Sequence, residues 1–435
     1  MGKMKNSGIA WIGDIPEHWN IVRVKDKYKM QTGFTPDTKN ENFYANGDGF
    51  DWVNISDISK NGGIPNETKN QISKTYIDKY HPQIVPSGSL LYSFKLSLGQ
   101  VAFTNRDIYT NEAIVSFINE KEICLPFLYY SSSLIEHNAN TNIYGAKILN
   151  QQLIKNAPIV YPPIKEQEKI AIFLDEKCNE INNLVNDIGK QIITLSKYKD
   201  AILNEIITYG LNNAYIKNSN ILWAPLIPSH WEEKPFRFLL NERNLKNKPI
   251  ISKERLSLSI GLGVTLYSEK TTNLDRYKDD VSQYKIACQG DLVMNSMNMI
   301  VGAVGVSPYF GCVSPAYYTF FDNEEDNIIT RYCNYIFLSS QMRTLLFKTG
   351  KGILAFDKGD GQINTCRLKV SKYDLGHIYM PVPPIDEMRE IVSFLDKKYA
   401  EIDGAIAKKK EQLEVLEQYK KSLIYEYVTG KKEIK

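Results

Sequence analysis

Pro162-Pro163-Ile164-Lys165-Glu166-Gln167-Glu168-Lys169-Ile170-Ala171-Ile172-Phe173-Leu174-Asp175 opens a stretch that the chain writes a second time, from Pro383-Pro384-Ile385 through Phe394-Leu395-Asp396. Aligned without a gap, Glu166 falls on Glu387, Ile170 on Ile391, Glu180-Ile181 on Glu401-Ile402 and Gln191 on Gln412. Leu195 likewise falls on Leu416, Tyr198-Lys199 on Tyr419-Lys420 and Glu205 on Glu426. An internal repeat of this kind governs the reading of everything around it. In the first copy Leu174, Cys178, Ile181, Val185, Ile188, Ile192 and Leu195 recur at spacings of four and three, a narrow apolar seam along one helix face. The second copy continues the seam through Leu395, Tyr399, Ile402, Ile406, Leu413, Leu416 and Leu423, with Lys409 interrupting it where Ile188 stands. Neither copy has an internal proline, and Glu166, Glu168, Asp386 and Glu387 put negative charge at the positive end of the helix dipole. The spacing therefore predicts two long helices, the first over 164–209, several times the usual ~10–14 residues.

Working outward, the opening segment is duplicated too. Trp11-Ile12-Gly13-Asp14-Ile15-Pro16-Glu17-His18-Trp19 returns as Trp223-Ala224-Pro225-Leu226-Ile227-Pro228-Ser229-His230-Trp231. The whole half is thus repeated: a Trp/Pro opening, a globular stretch, then a long helix. His18 and His230 read as packed corners beside Trp and Pro rather than as catalytic groups. Residues 20–160 read as short strands and loops, with Trp52-Val53-Asn54-Ile55, Ser89-Leu90-Leu91-Tyr92-Ser93 and Val101-Ala102-Phe103 as strands and 125–133 as a short amphipathic helix. In the second stretch Gly290-Asp291-Leu292-Val293 answers Gly88-Ser89-Leu90-Leu91, and Gly302 answers Gly99, while loop contents differ. The fold class expected is α+β: two mixed α/β globular regions separated by two long helices that pair as an antiparallel coiled coil, a pseudo-two-fold internal repeat. The expected boundaries are 1–161, 162–210, 211–382 and 383–435.

Totals narrow the function classes. A chain of 435 residues is too long for one ordinary core. The six cysteines lie far apart with no Cys-x-x-Cys pair, and the five histidines are dispersed, so neither a disulfide framework nor a metal constellation is expected. No apolar run reaches the length of a membrane span, and the first residues lack the apolar core of a secretion signal, so a cytoplasmic location is expected. Net charge is +3, distributed unevenly: each long helical segment is net −2, whereas 1–163 is +1 and 211–382 is +4. Nucleic-acid contact is therefore expected from the globular stretches, the second more than the first.

Two globular regions, each opened by Ile-Pro-x-His-Trp (15–19 and 227–231) and closed by Pro-Pro-Ile, Phe-Leu-Asp and a long helix, resemble the DNA specificity subunit of type I restriction-modification systems. Gly33-Phe34-Thr35-Pro36, followed by Asn42-Phe43-Tyr44 and Trp52-Val53, also looks like the start of that family's target recognition domains; residues 241–252 contain no such tetrapeptide. The resemblance implies a non-catalytic subunit that binds double-stranded DNA. Each globular region would be a target recognition domain for one half of an asymmetric split site, with the helices as a ruler. Two methyltransferase subunits, and motor-nuclease subunits for cleavage, would assemble on it. S-adenosylmethionine for adenine methylation, ATP and Mg²⁺ would be bound by those partners and not by this chain. A methylation-only or orphan modification system is the alternative reading.

Antiparallel pairing would put the two globular regions near opposite ends of helices of roughly 70 Å, long enough to separate half-sites by about one DNA turn, ~34 Å. Lys199 and Lys420 share one seam position and either set the register or extend from its edge to water. Base reading calls for Asn or Gln against adenine and Arg or Lys against guanine, on loops or helix ends. The candidates are Lys39, Asn40, Lys95, Lys147, Asn150 and Gln151 in the first region, and Asn295, Asn298, Arg343, Lys351, Lys358, Gln362 and Asn364 in the second. For each, an ordinary solvated loop residue is the competing reading. The chain lacks a phosphate-binding Gly-x-x-x-x-Gly-Lys-Ser/Thr, a Gly-x-Ser-x-Gly elbow and the Asn/Asp-Pro-Pro-Tyr/Phe of an adenine methyltransferase. Pro36-Asp37 with Glu67-Thr68-Lys69 matches the letters of a metal-dependent nuclease, but Gly62-Gly63-Ile64-Pro65-Asn66 makes the second half a turn. A purely structural coiled-coil adaptor would explain the helices but not two recognition-like regions of differing loop content.

Overall fold

The two repeated stretches form helices at Ile164–Tyr209 and Ile385–Val428 in the computed structural model. The structure describes residues 3–45, 47–59, 63–95, 97–142, 145–212, 215–270, 280–324, 326–353 and 367–434. Two compact units divide the chain: Met1–Ile188 with Glu411–Lys435, and Gly189–Lys410. Each unit therefore takes the first part of one long helix and the last part of the other.

In the first unit, the hairpin of Met4–Asn6 and Asp14–Pro16 leads to strand Asn20–Arg23, which pairs antiparallel with the last strand, Pro158–Tyr161. Between them lies an antiparallel sheet in the order Met30–Thr32, Ile114–Phe117, Leu90–Ser93, Val101–Phe103. The inner strands Leu90–Ser93 and Ile114–Phe117 are buried at every position, as strands covered on both faces must be. A second sheet of short strands, Tyr109–Thr110, Phe50–Val53, Gln71–Ile72 and Tyr44–Ala45, joins helix Lys74–Tyr80 around the aromatic cluster of Phe43, Trp52, Tyr76 and Tyr109. Gly33 belongs here for a steric reason. A Cβ on it would lie 1.9 Å from the Thr110 carbonyl oxygen, so only glycine lets the two backbones meet.

The second unit repeats this plan. Its opening hairpin is Ile216–Asn218 with Leu226–Pro228, its closing pair Glu232–Pro235 with Tyr379–Val382. Its antiparallel sheet runs Asn241–Glu242, Tyr317–Phe321, Leu292–Asn295, Val304–Val306, the same order of first, last, second and third strand. Gly88 and Gly290 precede equivalent strands with φ of +80° and +87°, a left-handed turn that any side chain would strain. What differs is the insert. The second unit has hairpin Leu256–Ser259/Gly263–Leu266 and the pair Lys285–Ala287/Gly311–Val313 instead of the small aromatic-backed sheet. The expected helix at 125–133 ends sooner, as Leu125–Ser131, and tightens into a 3-10 segment through Asn138; in the second unit two successive helices, Ile328–Leu338 and Ser340–Thr349, occupy that stage of the plan.

Antiparallel helix pairing is seen within each unit. In the first, Leu174, Cys178 and Ile181 share a core with Leu423 and Val428 from the far end of the second helix, and Lys420 Nζ donates to Asn182 Oδ1 at 2.8 Å. In the second unit Leu203 and Ile207 share a core with Ile391, Val392 and Leu395. There Gln191 pairs with Lys409 and Lys199 with Asp403, so the partner number falls as the first helix rises. Of the seam, Leu174, Ile181, Leu395, Ile402 and Leu423 are buried, while Val185, Ile188, Ile192, Leu195, Ile406, Leu413 and Leu416 are half-buried. Four of the five buried positions, Leu174, Ile181, Leu395 and Leu423, belong to globular cores. No helix among the described residues is long and apolar enough to cross a membrane.

Candidate nucleic-acid interface

The repeated motifs turn out to be the joints that hold each globular region to the start of its own long helix. Trp19 Nε1 donates to Glu166 at 2.8 Å, and His18 Nε2 lies 2.9 Å from the same carboxylate. The second copy is the same: Trp231 Nε1 donates to Glu387 at 3.1 Å with His230 Nε2 at 2.7 Å. A carboxylate in the first helical turn, favoured by the dipole, thus gathers the Trp and His of the opening segment. Phe-Leu-Asp is the second joint. Leu174 and Leu395 are fully buried, and Asp175 and Asp396 accept hydrogen bonds from the Tyr130 and Tyr335 hydroxyls at 2.5 Å. Burial first, and the bond to the carboxylate second, push both tyrosines well above their usual range, so both remain donors. A third joint closes the helix ends: a Cβ on Gly430, at φ +70°, would lie 2.4 Å from Pro16 Cδ, and one on Gly210, at φ +75°, 3.1 Å from the Trp231 ring.

With the regions anchored, Lys39, Asn40, Lys95, Asn150 and Asn298 fall on loops and caps as expected, whereas Lys147, Asn295 and Lys351 stand on short strands and Gln151 and Arg343 on helices. Lys39 is exposed in a turn where Asp37 accepts its backbone N–H. Asn40 is half-buried and caps the 3-10 turn Glu41–Phe43. Lys95 is exposed, 3.6 Å from Glu112. Lys147 is exposed on strand Lys147–Ile148, close in sequence to Asn150, which caps helix Gln151–Asn156 through Leu153 N–H at 2.8 Å, and to exposed Gln151. In the second unit Asn295 is buried, its side-chain oxygen accepting from Met297 N–H, while Asn298 is exposed before the 3-10 turn Met299–Val301. Arg343 is half-buried on helix Ser340–Thr349, 3.9 Å from Asp200. Lys351 is 82% exposed on strand Lys351–Ile353, 3.6 Å from Asp374. Lys358, Gln362 and Asn364 lie outside the described residues. Lys147, Asn150 and Gln151 are neighbours along one short stretch of chain; Lys39 with Asn40, and Lys95, stand on separate loops.

The seam lysines make polar contacts across the helix pair. Lys199 Nζ reaches both oxygens of Asp403 at 2.6 and 2.7 Å and sits 3.9 Å from the Tyr399 ring centroid. Asn182 and Asp403 hold the same place in the two repeats, so Lys199–Asp403 and Lys420–Asn182 are one contact made twice. Sequence reading named both lysines but not their partners. Two half-open clefts were also missed. One, of about 560 Å³, is lined by Phe103, Tyr129, Asp175, Asn182, Lys420 and Lys421; the other, of about 660 Å³, by Lys199, Gly263, Arg343, Tyr399 and Lys410. Each joins sheet edge, globular helix and long helices, segments too far apart in sequence to leave a local signal.

The carboxylates of the nuclease-like letters stand in a turn, at Asp37, and in a bend, at Glu67, rather than on adjacent paired strands. Among the described residues no three His, Cys, Asp or Glu side chains cluster as metal ligands would.

Comparison with known proteins agrees with this layout. Residues 16–194 match the type I restriction modification DNA specificity domain. The chain is 25% identical over its whole length to a provisionally assigned type I restriction enzyme MjaX specificity subunit of Methanocaldococcus jannaschii, covering 98% of that protein. It is 22% identical to the MjaVIII specificity subunit of the same organism, over 97% of this chain and 94% of that one. A solved chain from work on complex assembly and conformational transition of the type I restriction-modification system shares the fold at a TM-score of 0.66 and 15% identity, over 95% of this chain and 98% of that chain. The specificity-domain match over 16–194 and the full-length relatives agree, so the chain is similar in sequence along its whole length to type I restriction-modification DNA specificity subunits.

Proposed function

We propose that this chain gives a type I restriction-modification complex its DNA sequence specificity without performing chemistry itself. Each unit reads one half of an asymmetric, bipartite duplex site, the paired helices set the spacing between the halves, and methyltransferase subunits dock on the helices. Motor-nuclease subunits join for cleavage. S-adenosylmethionine, ATP and Mg²⁺ act on those partners, and the complex works in the cytoplasm. The observation that carries this reading is a sheet of one topology built twice with different inserts. A shared scaffold supplies the same anchorage to its helix, while unlike inserts present unlike groups to the two half-sites.

Charge supports the same reading. The second globular stretch, at +4, holds most of the positive surplus while the helices are net acidic, so phosphate contact falls to the globular parts. Lys39, Asn40, Lys95, Lys147, Asn150, Gln151, Asn295, Asn298, Arg343, Lys351, Lys358, Gln362 and Asn364 are the proposed contact set. Mapping methylated adenines in a genome with and without this gene tests the function. A split motif that vanishes with the gene is expected; a continuous motif, or no gene-dependent motif, refutes it.

A further inference from the structure

Among the strand pairs that stay outside larger sheets, Asn140–Thr141 with Lys147–Ile148 is unusual in burying nothing that is described. The opening hairpins, by contrast, bury Ile15 and Ile227 completely. An isolated two-stranded ribbon is marginal in water, and here even Ile148 is 47% exposed. The ribbon is held by its turn: Asn142 N–H donates to the Ala146 carbonyl at 2.9 Å, and the Asn142 side-chain oxygen accepts from Ala146 N–H at 2.8 Å. Nothing in the core accounts for it.

We propose that this ribbon enters a groove of the DNA and reads bases there, and that the ribbon of Lys351–Ile353 and Arg367–Lys369 grips the phosphate backbone at the half-site of the second unit; this rests on the DNA-reading role proposed above. The major groove of B-DNA is wide enough for a two-stranded β-ribbon. Cross-strand register puts Asn140 opposite Ile148 and Thr141 opposite Lys147, so each face carries one hydrogen-bonding group beside a methyl-bearing one. Those are the groups base edges require: an amide for adenine, an ammonium for guanine, an aliphatic surface for the thymine methyl. In the second ribbon Lys351 stands opposite Lys369, both exposed. Like charges directly opposite are unfavourable in a sheet, and Asp374, 3.6 Å from Lys351, is the acidic group beside them; a phosphate backbone would neutralise both. Leu368 anchors that ribbon in its core.

Both ribbons occupy the same place in the repeated plan, directly before the short helix, Gln151–Asn156 or Lys372–Gly376, that leads to the last strand. Their sequences and lengths differ. Residues 142–146 join the first pair of strands, and residues 354–366 the second. A constant mounting with variable content is what a specificity element requires.

The test uses the full chain assembled with its methyltransferase partner, and genome-wide adenine methylation together with binding to duplexes altered in either half-site. Asn140→Ala and Lys147→Ala change exposed side chains with no core contact, so both complexes should assemble as wild type does. At least one of them should lose about 5- to 150-fold in discrimination at one or two base pairs of a single half-site, leaving the other half unchanged. Lys351→Ala with Lys369→Ala should lower the salt slope of binding by about two. Wild-type discrimination in both Asn140→Ala and Lys147→Ala, or equal weakening by them on every duplex, overturns base reading by the first ribbon, and an unchanged salt slope in the Lys351/Lys369 variant overturns the backbone grip of the second; neither result touches the proposed function. Absence of any sequence-specific methylation by the wild-type complex would refute the proposed function and the ribbon with it.

Discussion

Removing the carboxylate that gathers the second opening segment, by Glu387→Ala, should cost more than the equivalent Glu166→Ala, by about a factor of two. The Glu387 side chain is 15% exposed and accepts from Trp231, whose ring is buried, as well as facing His230. Hydrogen bonds to a charged group are worth roughly 1.5–3 kcal/mol each, and a buried donor left unpaired adds its desolvation cost. A loss of about 2–4 kcal/mol is expected. Glu166, at 40% exposure, has water to replace its bonds, and about 1–2 kcal/mol is expected there. Urea unfolding followed by tryptophan fluorescence and far-ultraviolet circular dichroism reads the difference. With a slope of about 2–3 kcal/mol per molar urea, Glu387→Ala should lower the midpoint of its unit by about 1 M. Glu387→Gln, which keeps an acceptor oxygen, should recover about half of that. Equal midpoints for the wild type and Glu387→Ala, or a larger effect at Glu166, would refute the view that this joint anchors the globular region to its helix.

Leu174→Ala and Leu395→Ala, at fully buried equivalent positions, should each cost about 2–5 kcal/mol in the same assay, whereas Leu184→Ala, on an exposed helix face, should cost under about 0.5 kcal/mol. A double-mutant cycle on Lys199 and Asp403 should give a coupling below about 1 kcal/mol, since Asp403 is 56% exposed; a larger value would make the pair a true register lock. Asp51 is half-screened from water, which pushes its carboxyl up, but the Arg106 guanidinium at 2.6 Å and the bonds from Thr68 outweigh this and hold it below its usual value. A depressed carboxyl stabilises the fold above its unfolded pKa, about 3.9, and that contribution is lost as pH falls through the folded value; Arg106→Ala should therefore begin acid unfolding at higher pH, measured by circular dichroism. Inserting seven residues at matched positions of both long helices should widen the spacer of the methylated motif by about three base pairs, from a rise of about 10 Å. An unchanged spacer would remove the helices from the ruler role.

The sequence alone determined the duplication and the two long helices and carried the resemblance to type I specificity subunits; the antiparallel sense was an expectation that contacts within each unit bear out. The duplication, the helices and the resemblance rest on local periodicity and on identical residues at a constant offset, and one strand of text suffices to read them. The repeated Glu166/Glu387 and His-Trp motifs were visible as repeats but not as partners of each other, because a joint spanning almost 150 residues leaves no local pattern. Only the tertiary structure decided which letters were fasteners, which Asn and Lys side chains cap turns or pair with carboxylates, and that Asn295 lies buried at a strand end. The ribbons were below the reach of pattern reading for another reason. Strands of two or three residues have no periodicity to detect, and the absence of burial that singles out Asn140–Thr141 and Lys147–Ile148 exists only once the rest of the chain has folded around its cores.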